Sequence, residues 1–254
     1  MSPAVRLAML LACLPVLGAM LLAGCTGLPG FGHYPGPYGD LINHLAPSER
    51  QVGNVVAAIN FDYRGLDTLG EVFILFAAVA GSVVLMRGVQ GEDRTDAEQP
   101  PARGRPDLPR SDDAAWVSTG LLGLLVVFGL YVVVHGQLTP GGGFQGGVIT
   151  ATAVLLIYLT RNYGAFLGAV PKEATDALEA FAAGAYALVG IATLLAGGAF
   201  LQNLLPLGKL HDFLSSGSIA LINDAVGIEV AAGFIVLFLE FAEEVRERPA
   251  EAGA

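Results

Sequence analysis

Apolar runs of about twenty residues, separated by short polar or Gly/Pro-rich segments, recur six times along the 254-residue chain. The first follows Arg6 and extends from Leu7 to Gly24. At ~1.5 Å per residue a helix of that length nearly crosses a ~30 Å hydrocarbon core. Gly30, Gly32, Pro35, Gly36, Pro37 and Gly39 follow, and Pro and Gly at that density predict a helix-breaking loop. The second run, about Leu66 to Arg87, is entered through Asn60-Phe61-Asp62-Tyr63-Arg64-Gly65-Leu66-Asp67-Thr68-Leu69-Gly70-Glu71. The third spans about Ala114 to His135, and Gly136 to Gly143 turn the chain into the fourth, Phe144 to Thr160, which stops at Arg161-Asn162. The fifth is about Ala174 to Leu201 and the sixth about Ile219 to Phe241, with Pro206, Lys209, His211 and Asp212 in the loop between them.

Lipid offers no partner to free backbone groups, so such runs must be helices or closed barrels, and the strand-length alternation of a barrel is absent. The predicted fold is therefore all-α: a polytopic membrane protein of about six transmembrane helices in two modules, two plus four. Residues 88–113 carry Glu92, Asp93, Arg94, Arg103, Arg105 and Arg110 among Pro100, Pro101, Pro106 and Pro109. That composition reads as a solvated linker. It divides a two-helix module, 1–87, from a four-helix domain, 114–245, which a charged tail, 246–254, follows.

Composition sharpens this picture. Hydrophobic residues make up 54% and charged residues 14%, against about 25% charged in soluble domains. The net charge of −10 argues against nucleic acid, whose binders carry basic patches. With an inside N-terminus, Arg6, Arg87, Arg94, Arg103, Arg105, Arg110, Arg161, Lys172, Arg246 and Arg248 fall on the cytoplasmic side. Only Arg50, Arg64 and Lys209 fall outside, so the positive-inside rule places both termini in the cytoplasm of a multi-pass plasma-membrane protein. The two cysteines, Cys13 and Cys25, exclude a multi-bridge disulfide framework and a cysteine-only zinc site. Leu22-Ala23-Gly24-Cys25 matches the small-residue pattern before a lipidated cysteine, although the apolar stretch exceeds the ~7–15 residues of a usual signal core.

Ionisable groups inside the spans are the functional lead, because a carboxylate at the bilayer centre costs roughly 2.5–3.5 kcal/mol on insertion scales. Asp67 and Glu71 are four apart and share a helix face, with Arg64 placed to pair with Asp67. They are either an ion-paired helix end or the entrance of a proton or cation relay. In the sixth span Asn223, Asp224 and Glu229 sit among apolar residues; Asp224 lies near the outer end and Glu229 at mid-depth. Glu229 is the strongest single candidate. His135 titrates near neutrality and ends the third span, either as a hydrogen-bonded interfacial residue or as a proton carrier. Gly141-Gly142-Gly143-Phe144-Gln145-Gly146 satisfies G-x-G-x-x-G, but it follows a span instead of a strand and no acidic residue lies between Gly146 and Glu173. A dinucleotide site is excluded on that context. Pro140 and the glycines up to Gly147 then form either a tight hairpin or a broken helix beside an ion path. The pattern calls for no cofactor, no metal cluster and no enzymatic chemistry.

His135-Gly136-Gln137-Leu138-Thr139-Pro140-Gly141-Gly142-Gly143-Phe144-Gln145-Gly146-Gly147 resembles the signature of the MnhB-type subunits of Mrp (Mnh) multisubunit sodium/proton antiporters. Leu221 to Phe234 is similar to that family's last span, so the resemblance covers about residues 114–245. Phe61 to Glu71 resembles the C-terminal extension of the large, MnhA-type antiporter subunit, an element that forms a small separate protein in hydrogenases related to respiratory complex I. The resemblance implies one part of a complex that exchanges Na⁺ for H⁺, with the other Mrp subunits as partners. It also implies Asp67, Glu71 and Glu229 as members of the translocation region. Two alternatives stay open: a membrane subunit of a redox-driven, hydrogenase-like ion pump, and a lipid-anchored scaffold.

Overall fold

A computed structural model describes residues 3–28, 32, 36–90, 112–160 and 163–247. Most of the predicted linker, the Arg161-Asn162 stop and the tail beyond residue 247 lie outside the described residues. Helices are the only regular structure among those described. The chain divides into two units, residues 1–41 and 42–254.

The first unit contains α1, Pro3–Thr26, apolar along its length and carrying the free thiols of Cys13 and Cys25. It also contains the start of α2, Pro37–Arg50. Here the predicted Gly/Pro loop is corrected: Pro37 and Gly39 lie in a helix. Proline is tolerated in a first turn, where its missing N–H costs nothing. Asp40 in the first turn and Arg50 in the last suit the helix dipole.

The second unit continues through a one-turn α3, Val55–Ala58, and a π-helical turn, Ile59–Tyr63. The turn closes where the Arg64 N–H donates to the Ile59 carbonyl at 2.8 Å, the wider i→i+5 closure. Then come α4, Gly65–Gln90, α5, Asp112–Val134, α6, Gly143–Thr160, a short α7, Tyr163–Ala169, α8, Lys172–Leu195, and α9, Ser218–Glu247. Among the described residues α1, α4, α5, α8 and α9 are long and apolar enough to cross a membrane, and α6 is a shorter apolar helix.

α9 is the hub and packs against α4, α5, α6 and α8. Its buried face, Ile219, Ile222, Val226 and Val230, meets Phe61 of the π-helical turn, Leu69 and Val72 of α4 and Tyr186 of α8. Large apolar side chains such as Leu85, Trp116, Val127 and Leu195 point outward, as lipid or partner helices permit.

Candidate functional site

The glycine segment explains how α5 and α6 reach α9. α5 ends at Val134 and α6 starts at Gly143 and runs unbroken, so the segment is a tight hairpin. Gly141 and Gly142 have φ of +143° and +144°, which L side chains rarely adopt. A Cβ on Gly143 would collide with the Asn223 carbonyl and come within 2.7 Å of the Gly227 amide. Backbone therefore rests on backbone. Into this contact Asn223 projects a fully buried amide. Its oxygen accepts the Gly143 N–H at 2.7 Å, and its nitrogen donates to the Val133 carbonyl at 2.6 Å. One side chain thus satisfies the orphan Gly143 N–H at the start of α6 and adds a second donor to the Val133 carbonyl, which also accepts the Gly136 N–H at 2.9 Å. Phe144 packs on the core, Gly146 and Gly147 are buried, and Pro140 and Gln145 are exposed.

The hairpin is held a second time by the Asn54 amide, which donates to the carbonyls of Gly136, at 2.7 Å, and Thr139, at 3.1 Å. The N–H groups of Gly53 and Asn54 both donate to the Gln137 carbonyl. Nearby, Arg50 pairs with Asp62 at 2.7 Å and lies over the Tyr63 ring. The Tyr63 hydroxyl donates to Glu49 at 2.8 Å. Burial, helped by that bond, pushes the phenol up to about 12.

His135 is half-buried, stacked on Tyr131 and edge-on to Phe213, with Nδ1 3.1 Å from the Tyr131 carbonyl. Asp67 forms an exposed pair with Arg64, Nε to Oδ2 2.7 Å. Glu71 is exposed on the same helix.

Glu229 differs from both. It is completely buried at the centre of α9, and neither of its oxygens has a hydrogen-bond partner among the described residues. α8 supplies a second carboxyl, Glu179, 6% exposed with Oε1 also unpartnered. The two are within electrostatic reach of each other. Glu179 lies against Gly233, one turn from Glu229, where a Cβ would approach its Oε1 to 3.2 Å. At one end of the same helix pair Lys172 holds Glu240 at 2.6 Å and Glu243 at 3.1 Å. Asp224 is half-buried with an unpartnered oxygen. The structure does not bring the Arg64–Asp67–Glu71 row into this pair. Glu179 is not among the residues that the sequence pattern singles out. Its signal is the buried series Thr175, Glu179, Ala182, Ala183, Tyr186 at helical spacing, which places it on the packed stripe of α8.

Apart from this polar interior, an apolar cleft of about 180 Å³ lies between α6, α7 and α9, lined by residues such as Val148, Leu155, Phe166 and Phe238. It offers no ionisable group. Among the described residues no cluster of three or more His, Cys, Asp or Glu could hold a metal.

Long apolar helices around a polar interior define the class as a polytopic helical membrane protein. Residues 114–236 match the family described as a domain related to the MnhB subunit of Na+/H+ antiporter. An uncharacterized protein of Methanocaldococcus jannaschii, MJ1307, is 31% identical over 76% of this chain and 78% of its own. The chain belongs to this MnhB-related family of membrane proteins. The B-type subunit of the Na(+)/H(+) antiporter of Alkalihalophilus pseudofirmus is 35% identical over 31% of this chain, which spans about half of that protein (54%). Among solved structures, a chain of the membrane-bound sulfane sulfur reductase, an archaeal respiratory membrane complex, superposes with TM-score 0.69 and 28% identity, covering 93% of this chain and 98% of that one. A chain of the Mrp complex from Dietzia sp. shares the fold at TM-score 0.66 and 24% identity, over 99% of this chain and 27% of the longer one.

Proposed function

We propose that the protein is a membrane subunit of a multisubunit Na⁺/H⁺ antiporter, contributing to assembly and to the ion-translocation region, with Glu229 as its central ion-handling group. The observation that carries the site is the fully buried, unpartnered Glu229 carboxyl, a costly arrangement kept in membranes for function. The family match and the MnhB-type relative support the antiporter complex. The partners are the other antiporter subunits, and the ions are Na⁺ and H⁺. The chain does no enzymatic chemistry of its own. Both termini lie in the cytoplasm, as the distribution of Lys and Arg predicts.

The test is purification of the tagged protein from native membranes in mild detergent, with identification of bound proteins and assay of Na⁺-dependent proton exchange in vesicles. Antiporter-like subunits and exchange support the reading. Recovery of soluble metal-cluster subunits overturns it in favour of a respiratory, redox-driven complex. One observation favours that second reading: the reductase chain is matched over nearly its whole length.

A further inference from the structure

We infer that Glu179 and Glu229 form a proton-exchanging carboxyl pair, connected through Asp176 to water at the Lys172 end of the bundle. This rests on the ion-transport reading above and extends it to a second residue and a direction.

The register of α8 against α9 gives the geometry. Lys172 meets Glu240, and seven residues further in Glu179 meets Gly233, seven before Glu240. The helices are therefore antiparallel and in step, and Glu229 lies level with Ala183. At ~1.5 Å per residue, Glu179 is about 10 Å inside the Lys172 end, and Glu229 one further turn in. Asp176 lies between, three before Glu179 and four after Lys172, so all three share one stripe of α8. It is half-buried with an unpartnered Oδ1, and its charge acts on Glu179. Lys172, 28% exposed, marks where the row meets water.

Charge then selects the ligand. Within the membrane-crossing stretches of α1, α4, α5, α6, α8 and α9, Lys172 is the only basic residue, and it already holds Glu240 and Glu243. α4 brings Val79 to this place; its acidic groups, Asp67 and Glu71, are exposed near its start. α6 has no acidic or basic residue. Besides Glu240 and Glu243 and the charged residues beyond them at its end, α9 adds Asp224, more than a turn away on the far side of Glu229. Two interior carboxyls without a protein cation must be neutralised by an imported one. A hard metal cation wants about six or more oxygens, and the pair offers four. A proton needs one oxygen and is shared readily by close carboxyls, which cannot both ionise cheaply. The step is a relayed transfer: the protonated carboxyl of one glutamate gives H⁺ to a water between the two, which passes a proton on to the carboxylate of the other, and Asp176 reloads or drains Glu179 by the same route.

The experiment uses the native complex and its Glu179→Gln, Glu229→Gln, Asp176→Asn and Glu179→Asp variants. Infrared difference spectra between acid and alkaline pH report protonated carboxyls. Mapped labelling by dicyclohexylcarbodiimide, which attacks protonated carboxyls in apolar surroundings, reports which residue carries the proton. We expect pH-dependent labelling of Glu179 and Glu229 and loss of carboxyl bands in both Gln variants. Glu179→Gln should lower transport by about tenfold or more, the scale of a lost proton-transfer group, with the same partners bound, and Glu179→Asp should retain transport. A Glu179 that neither labels nor titrates in the native complex overturns the inference, even if Glu179→Gln fails to assemble. So does full transport by an assembled Glu179→Gln, or protection of both residues by Na⁺ at constant pH without titration. A complex that lacks Na⁺/H⁺ exchange while Glu179 titrates refutes the antiporter reading and leaves this pair standing.

Discussion

The carboxylates of α4 and those of α8 and α9 look alike along the chain and end in opposite environments. Asp67 and Glu71 enter an apolar run four residues apart, yet both are exposed, with Leu66 and Ile74 beside them equally exposed. Glu229 enters a similar run and is wholly buried where α9 packs among α4, α5, α6 and α8. Apolar neighbours in sequence show that a charge lies in a span. Only the packing of other helices decides whether it faces the protein's interior or outward. An outward Asp67 answers to its own Arg64 and to whatever lies outside; an inward Glu229 answers to Glu179.

Isosteric neutralisation separates the two regions most sharply. Glu229→Gln should lower exchange in vesicles by about tenfold or more, with the complex still assembled, whereas Asp67→Asn should leave a substantial fraction. Equal losses would dissolve the distinction. Next in size is the frame that holds α9 in place. Gly143→Leu forces a side chain into backbone and should cost about 1–3 kcal/mol or more, read as loss of partner co-purification. Asn223→Ala strands the buried Gly143 N–H and should cost about 1–3 kcal/mol, read as a lower melting temperature in detergent. Arg64→Gln, at an exposed pair, should cost less than about 1 kcal/mol by the same measurement. The smallest effect is alkaline. The Tyr63 phenol is pushed up to about 12 by burial and its bond to Glu49, above its ordinary value near 10. The stabilisation is complete below about pH 10 and lost as pH rises through the folded value. Tyr63→Phe should flatten thermal stability across that window.

The apolar helices, five of them long enough to cross a membrane and α6 shorter, were legible because bilayer thickness writes itself into length and hydropathy. α4, α5, α6, α8 and α9 start and stop within a few residues of the expected positions, except that α8 ends at Leu195 instead of Leu201 and α9 continues to Glu247 instead of ending at Phe241. α2 was illegible because Pro37 and Gly39 read as breakers, while a first turn accepts proline. The π-helical turn at Ile59–Tyr63 has no hydropathy signature. Asp67, Glu71, Asp224 and Glu229 were visible as charges in spans, but burial set Glu229 apart only once α8 was in place. Glu179 was hidden because Glu173 and Asp176 precede it, and together they resemble a hydrated helix start.

The hydrogen bonds of Asn223 also bear on the order in which the protein is made. The hairpin of α5 and α6 leaves the ribosome and enters the bilayer before α9 exists. Until then the Gly143 N–H lacks the side chain that will bind it, while the Val133 carbonyl holds the Gly136 N–H alone. The newborn hairpin is thus an unfinished object, and the last helix completes it on arrival.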